Sequence, residues 1–360
     1  MKKSNSLLAL SLSIVLLVGL TGCSRQVKLE TGITNSASIK SCSYDTTIYV
    51  DASGIKDSSS DTNSVAAGVL SSGKVSFGLS GKILKTADRS KISSNIKLSS
   101  GGVSFEIPLY IDSSNTKLDF EMFLGLPDIF KTALGPDFAN ITNLYLSSKD
   151  LETYMKANNS ADDYKKFQDS TTKLFDTKTN KNSQVSKDML ATFNSYLVKH
   201  KKDIETFQQL DKASKTKNGI YTIKISKDDI KAMAADYFGN AEYFSNFKDS
   251  AKNGQDMVSA SRKDKTIKVA DLDAKTAIAD FNKSIDAAKT IDTVATITIE
   301  DNYVTKTNIV CKISNTSGNA TITVDSKLND INKVTSIDAP DKISDKTLDI
   351  MKLINQNIIK

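Results

Sequence analysis

Apolar and polar residues alternate along the first third of the chain, after an apolar N-terminal stretch. Phe105 and Ile107 alternate with polar residues in one run, and Phe120 and Met122 do so in the next. A period of two is the pattern of strands that have one apolar face, and short Gly, Asp, Ser and Asn runs mark the turns between them. The pattern therefore predicts an antiparallel meander over about residues 44–146.

The period changes to that of a helix between residues 148 and 213. Leu190, Phe193 and Leu197 recur at three- and four-residue spacing, with lysines and acids on the opposite face. This spacing is typical of amphipathic helices. We therefore predict one or two helices that extend as far as Leu210.

Strands and helices then alternate toward the C-terminus. Ser226 and Asp229 form a capping-box pattern at the start of a predicted helix. A second helix follows around Phe281, and antiparallel strands follow it. The spacing of apolar residues over 344–359 predicts a final amphipathic helix.

The order of these elements predicts an α+β fold with a large curved antiparallel sheet. The amphipathic helices are expected to cover one face of that sheet. We predict a polar tether over residues 23–43 and a single domain over 44–342, with a helical insertion at about 148–213. Residues 343–360 are assigned to the C-terminal helix.

The N-terminus has the features of an export signal. Lys2 and Lys3 precede an apolar stretch that is too short to span a bilayer comfortably. It ends in Leu20-Thr21-Gly22-Cys23, which resembles the lipobox of bacterial lipoproteins. The resemblance implies that residues 1–22 are a signal peptide and that Cys23 carries a diacylglyceryl group after cleavage. The alternative is an ordinary secretory signal followed by a chance cysteine.

A lipidated Cys23 predicts anchoring to the cell membrane on its extracytoplasmic face. Two or three acyl chains are enough for firm anchoring, because each buried CH₂ adds about 0.8 kcal/mol. Whether the cell has one membrane or two is left open by the sequence.

Charge and motifs disfavour two classes of function. The net charge is +6, but only three residues are arginine and the lysines are interleaved with acids, so nucleic acid is not an expected partner. His200 is the only histidine, which excludes zinc sites that need several histidines and leaves no usual base for a catalytic triad. We expect no catalytic residues, metal site or cofactor, and therefore no enzymatic activity.

Cys42 and Cys311 are the other two cysteines. An extracytoplasmic compartment permits a disulfide between them, whereas the alternative is two buried thiols. Cys311 lies in an apolar strand pattern, where a cysteine packs as a small hydrophobic residue. The sequence leaves both alternatives open.

Three segments resemble the LolA/LppX-type carriers of lipids and lipoproteins. They are Phe105–Asp112, Leu144–Leu146 and the run Ile331–Pro340, which resembles a closing strand. The resemblance implies a half-barrel whose helices fill the concave side, and a hydrophobic ligand such as an acyl chain.

The alternating residues Phe105, Ile107, Phe120 and Met122 are the candidate lining of a ligand cavity, since they point to one face of the predicted sheet. The alternative is a structural or protein-interaction lipoprotein with a packed core and no small ligand. The sequence identifies no protein partner.

Overall fold

The structure of the protein is a computed structural model. It describes residues 29–52, 73–128, 131, 135–158, 164–165, 169, 181–200, 203–210, 217–261, 272–316, 318–342 and 344–351. The predicted signal peptide and Cys23 lie outside these residues, as does most of the predicted C-terminal helix. The described part is α+β with a large sheet, as predicted, but the sheet is mixed and not purely antiparallel.

Twelve strands are present in the described part of the chain. Their bounds are β1 Ser41–Asp51, β2 Lys74–Lys85, β3 Arg89–Ser100, β4 Val103–Ser114, β5 Phe120–Gly125, β6 Asn143–Ser147, β7 Glu205–Leu210, β8 Lys217–Ser226, β9 Thr290–Glu300, β10 Tyr303–Asn315, β11 Gly318–Asn329 and β12 Thr347–Asp349. Their order in the sheet is β12-β6-β5-β4-β3-β2-β1-β11-β10-β9-β8-β7. The sheet is mixed because β12 is parallel to β6, whereas β3–β6 and β7–β11 pair antiparallel with their neighbours.

The described part of the chain also contains six α-helices and one 3₁₀ turn. The helices are α1 Leu29–Ala37, α2 Ser148–Asn158, α3 Lys181–Lys199, α4 Lys227–Gly239, α5 Ala241–Ser261 and α6 Ala274–Asp286, and the 3₁₀ turn is Pro136–Phe138. The predicted capping box opens α4, because the Ser226 hydroxyl accepts from the Asp229 N–H while the Asp229 carboxylate accepts from the Ser226 N–H.

The chain divides into two compact units, whereas the sequence predicted a single domain with a tether. Unit 1 combines Met1–Ile39, Thr46–Ser76 and Lys181–Leu328, and unit 2 combines Lys40–Asp45, Phe77–Asn180 and Asn329–Lys360. Each unit is therefore built from segments that are far apart in sequence.

Unit 1 has a closely packed core between helices and strands. Alternate residues of β8 and β9 point into it, and Ile223, Ile297 and Ile299 are at most 2% exposed. Residues of α3, α4 and α6 pack against the same face, including Phe193 and Phe281. Full burial of each such side chain contributes about 1.5–3 kcal/mol to folding.

The prediction of a polar tether over residues 23–43 is wrong from Leu29 onward. Residues Leu29–Ala37 form α1, and Ile33 is completely buried in the core of unit 1. Leu29 and Ile33 are four positions apart and so share one face of the helix. Gly32 allows the close approach, because a Cβ at this position would overlap the Ile299 side chain.

Two predicted elements near the C-terminus are also wrong. The run Ile331–Pro340, expected to be a closing strand, has no strand pairing, since Asp330 and Asn332 adopt positive φ values of 50° and 57° and turn the chain away from an extended path. Thr347–Asp349, predicted as helix, is strand β12 because its backbone pairs with the edge strand β6.

The helical insertion predicted at about 148–213 contains α2 and α3, but its C-terminal part is not helical. Glu205–Leu210, predicted as helix, forms the edge strand β7, where Phe207 pairs with Ile220 of β8. A short apolar run is ambiguous between helix and strand, and the free edge of β8 decides the outcome.

Candidate functional site

The four residues predicted to line a cavity lie on one face of the sheet in unit 2. On β4, Phe105 and Ile107 share the face of Ile111, which pairs with Met122 of β5. Phe120 pairs with Ser113, two positions further along β4. Because residues two apart in a strand point to the same side, all four share a surface, here called the apolar face.

The four residues form two separate pairs on this face. Ile107 precedes Ile111 by four positions, which corresponds to about 13 Å at about 3.3 Å per residue. Leu109 and Ile111 fill the interval on β4, and Leu124 lies opposite Leu109 on β5. These three residues connect the predicted pairs into one surface, and they are missing from the predicted site.

Neighbouring strands extend the apolar face on both sides. In β3, Ile96 pairs with Ile107 and Leu98 pairs with Phe105. In β6, Leu144 and Leu146 pair with Leu124 and Met122. The apolar face therefore crosses four strands and consists of these residues: Ile92, Ile96, Leu98, Phe105, Ile107, Leu109, Ile111, Phe120, Met122, Leu124, Leu144 and Leu146.

Each of these apolar residues is only partly buried, at an intermediate exposure, and Val103 at the end of the same side of β4 is 59% exposed. Ser94, which pairs with Leu109, is the one buried residue between Ile92 and Leu98 on the same side of β3. The face thus differs from the fully buried strands of unit 1, in which alternate residues of β9 are at most 5% exposed.

The opposite face of the same strands is closed by aromatic packing. Tyr110, Phe123 and Tyr145 are buried, and the Phe123 ring centroid lies 5.9 Å from that of Tyr110 and 4.9 Å from that of Tyr145. Val334 and Ile337, from the segment predicted as a closing strand, pack on this cluster. The segment therefore covers the aromatic face as irregular chain and does not extend the sheet.

Lys342 makes electrostatic contacts with Tyr145 of the aromatic cluster and with the neighbouring Glu121. Its Nζ lies 4.5 Å from the Tyr145 ring centroid and 3.1 Å from Glu121 Oε1, and the Tyr145 hydroxyl donates to the same oxygen at 2.9 Å. The pKa of Lys342 is raised, first by its interaction with Tyr145 and then by Glu121. The cation on the ring helps to hold the covering segment in place.

A charged network lies further along the aromatic face. Arg89 Nε donates to Asp112 Oδ1 at 2.6 Å and its Nη1 donates to Asp119 Oδ2 at 2.9 Å. The hydrogen bond to Asp112 is the main cause of the raised pKa of Arg89. Arg89 lies on β3, Asp112 lies on β4 and Asp119 directly precedes β5. This network therefore links the strands that carry the apolar face.

Both cysteines in the described residues are free thiols. Cys42 and Cys311 are both buried and unbonded, so the disulfide alternative does not occur in this structure. Burial raises the pKa of each thiol above its ordinary value, which lowers the thiolate fraction and the reactivity.

His200 takes part in a local surface arrangement. Its ring stacks on Tyr196 with 4.3 Å between centroids, and Nδ1 and Nε2 lie 3.5 Å from Asp203 and 3.9 Å from Asp229. Within the described ranges, no group of three or more His, Cys, Asp or Glu side chains has the arrangement of a metal site.

None of the helices in the described residues is both long enough and apolar enough to cross a membrane. No protein family matches the chain, and no curated protein or solved structure is significantly similar to it. The resemblance to the LolA/LppX-type carriers stays a prediction.

Proposed function

We propose that this protein is a lipid-anchored lipoprotein of the extracytoplasmic membrane face that binds a hydrophobic ligand without catalysis. The apolar face of unit 2 is the proposed binding surface, and an acyl chain is the proposed class of ligand. In this proposal Cys23 carries the lipid anchor, and the sheet has the half-barrel form implied by the resemblance to LolA/LppX-type carriers.

The observation that carries the proposal is the difference in burial between the two units. Sheet residues of unit 1 that point toward helices are almost completely buried, with Ile297 1% exposed. The equivalent alternating residues of unit 2 are apolar across four strands but keep partial exposure. Such an extended, partly exposed apolar surface is a typical feature of ligand sites.

The side-chain chemistry of this surface fits the hydrocarbon part of an acyl chain better than a polar metabolite. Its residues are aliphatic or aromatic, and the nearby charged pair Lys97–Glu106 belongs to positions of the opposite parity on β3 and β4. An extended row of apolar side chains along strands offers contacts distributed over several residues. It offers few directional hydrogen bonds, so selectivity for chain length is expected to exceed selectivity for polar groups.

The test is the variant Ile107→Asp, which puts a carboxylate in the middle of the apolar face. Because Ile107 is partly exposed, the carboxylate keeps contact with water, and we expect the free energy of unfolding to fall by only about 1 kcal/mol. Binding of a fluorescent long-chain fatty acid is expected to weaken at least tenfold. Thermal melts and fluorescence titrations of the same preparations provide both values.

Two further variants make this test specific. Val198→Asp adds the same charge on α3, away from the apolar face, at a position that is 55% exposed, and should leave binding unchanged. Ile297→Asp buries the charge in unit 1 and should unfold the protein. If the wild type binds no fatty acid, or if Ile107→Asp unfolds like Ile297→Asp, the structural alternative with a packed core replaces this proposal.

The lipid anchor is tested separately with Cys23→Ala. Without the thiol no diacylglyceryl group can be attached, so the protein should leave the membrane fraction or retain residues 1–22. Intact-mass measurement and membrane fractionation follow this directly. A mass that changes only by the Cys-to-Ala side-chain difference, together with an unchanged distribution, would show that Cys23 is not the anchor, whatever the fatty-acid titrations give.

A further inference from the structure

One position in the middle of the apolar face carries a polar side chain. Ser94 of β3 pairs with Leu109 of β4, and Ile92 and Ile96 lie two positions to either side of it on the same strand. These three neighbours are hydrocarbon side chains of intermediate exposure, whereas Ser94 is only 5% exposed. The serine therefore places a buried hydroxyl inside a surface that is otherwise built from apolar side chains.

The Ser94 hydroxyl has no hydrogen-bond partner among the described residues. Its Oγ is shielded from solvent, and no donor or acceptor there meets it with hydrogen-bond geometry. A hydroxyl that gives up water without gaining a protein partner destabilises the folded state. Because most buried polar groups in proteins are paired, this oxygen marks a place where a polar atom of a bound molecule would be stabilised.

Tyr44 of β1 brings a second hydroxyl to the same place in unit 2. The Lys85 N–H donates to the Lys40 carbonyl at 2.6 Å, and four positions further into each strand this antiparallel pairing places Tyr44 opposite Gly81. A Cβ at Gly81 would lie 2.8 Å from Ser94 Cα, so the glycine leaves β2 without a side chain between Tyr44 and Ser94. Burial raises the pKa of Tyr44 and the Ser94 hydroxyl lowers it, which indicates that the two side chains interact across β2.

No positive charge of the described residues acts on the Tyr44 phenol. The causes of its pKa shift are burial, Ser94 and Cys42, and no lysine or arginine is among them. On β3, Lys91 and Lys97 occupy positions of the opposite parity to Ser94 and so lie on the other side of the strand. A buried carboxylate or phosphate without a cation is costly. The two hydroxyls therefore favour an uncharged oxygen group.

We propose that the ligand of the apolar face carries an uncharged oxygen group at the end of its acyl chain, and that Ser94 Oγ and Tyr44 Oη bind this group together. This head-group site rests on the proposed function, since it belongs to the same surface. The two hydroxyls do not bond each other, so an ester or alcohol oxygen can bridge them. Because Ser94 is almost completely buried without ligand, the Tyr44 ring moves aside as the group enters and then closes over it.

The experiment compares two lipids that share one chain and differ in the head group. Monolauroylglycerol and laurate are titrated at pH 8 into the full-length protein loaded with a fluorescent long-chain fatty acid, and displacement of the probe gives their affinities. We expect monolauroylglycerol to bind about fivefold more tightly than laurate, as one additional net hydrogen bond provides. In Ser94→Ala this preference should disappear, while the affinity for laurate stays the same.

Two further variants isolate the hydroxyl groups. Tyr44→Phe keeps the ring and removes the second hydroxyl, so the preference should fall to about twofold. Ser99→Ala is the matched control, because Ser99 lies on the opposite side of β3, where its Oγ donates to Ser104 Oγ at 2.8 Å. This control should keep the full preference. Thermal melts of all variants accompany the titrations, and Ser94→Ala should melt no lower than wild type because it removes an unpaired buried hydroxyl.

The wild-type titrations distinguish failure of the head-group site from failure of the proposed function. If the probe does not bind and neither lipid is bound, the proposed function is wrong and the head-group site is wrong with it. If both lipids bind with equal affinity, or if Ser94→Ala keeps the preference, the apolar face remains a ligand site and the head-group site alone is overturned. A lower melting temperature of Ser94→Ala with an unchanged preference would assign its hydroxyl a structural role.

Discussion

Replacing Asn246 by Asp is expected to destabilise unit 1 by about 3–5 kcal/mol at neutral pH, although the side chains are nearly identical in shape. Asp188 of α3 is 2% exposed, and its Oδ2 accepts from Asn246 Nδ2 of α5 at 2.8 Å. Its Oδ1 accepts from Gln184 Nε2, also at 2.8 Å. A carboxylate at position 246 would replace a donor by a second buried negative charge.

No ion pair among the described residues compensates the charge of Asp188 or would compensate a second one beside it. The neighbouring Tyr237 hydroxyl is buried and has no hydrogen-bond partner in the same part of the chain. Burial, followed by the charge of Asp188, raises the pKa of Tyr237. A site that already disfavours a tyrosinate will also disfavour a second carboxylate.

The loss of stability in Asn246→Asp is expected to depend on pH. The carboxyl introduced at position 246 would be buried beside a second carboxylate, and both effects raise its folded pKa above the unfolded value of about 4. A raised folded pKa favours folding below the unfolded pKa and disfavours it as pH rises through the folded pKa. Denaturant titrations should therefore show a small difference from wild type near pH 4 and a large one near pH 7.

The exchange Asp188→Asn with Asn246→Asp provides the matched control. In the double variant, the amide oxygen at 188 can accept from Gln184 and its NH₂ can donate to the carboxylate at 246. Most of the lost stability should return. A single variant as stable as wild type at pH 7, or a double variant no better than the single, would contradict the assignment of Asp188 as a buried carboxylate with two amide donors.

Gly81→Ala is the second substitution with a large expected effect, here in unit 2. Gly81 lies in the interior of β2, and a Cβ there would overlap the Ser93 carbonyl oxygen and lie 2.8 Å from Ser94 Cα. These atoms belong to the backbone of the neighbouring strand and cannot move aside without separating β2 from β3. We expect a loss of at least about 3 kcal/mol, measured by chemical denaturation.

Gly239→Ala makes the same chemical change where there is space. Gly239 ends α4, and a Cβ there would have no other atom within 4 Å. This variant should be neutral or more stable by up to about 1 kcal/mol. Similar stabilities for the two variants would show that β2 and β3 do not approach as closely at Gly81 as the structure has them.

The candidate site was partly predictable from the sequence. Alternation alone indicated that Phe105 and Ile107 share a face, and likewise Phe120 and Met122. The register between the two strands is not encoded in that periodicity, and it is the pairing of Ile111 with Met122 that separates the two pairs. For this reason the connecting residues Leu109, Ile111 and Leu124 were absent from the predicted site.

The sequence by itself determined the elements whose stability is local. Helix α4 is an example, since the Ser226–Asp229 capping box opens it and the buried residues Ile230, Tyr237 and Phe238 follow at helical spacing. The meander of β3–β5 is another, because its alternation and its turns agree. In these segments local propensity, apolar period and turn chemistry favour the same conformation.

Tertiary structure decided the segments in which local preference is weak. Glu205–Leu210 became a strand and not a helix because the edge of β8 was free to pair, and Thr347–Asp349 paired with β6 for the same reason. Leu29–Ala37 became a buried helix because Gly32 lets it approach Ile299. Short segments have too few local interactions to determine their own conformation, so backbone pairing and burial against distant residues determine it.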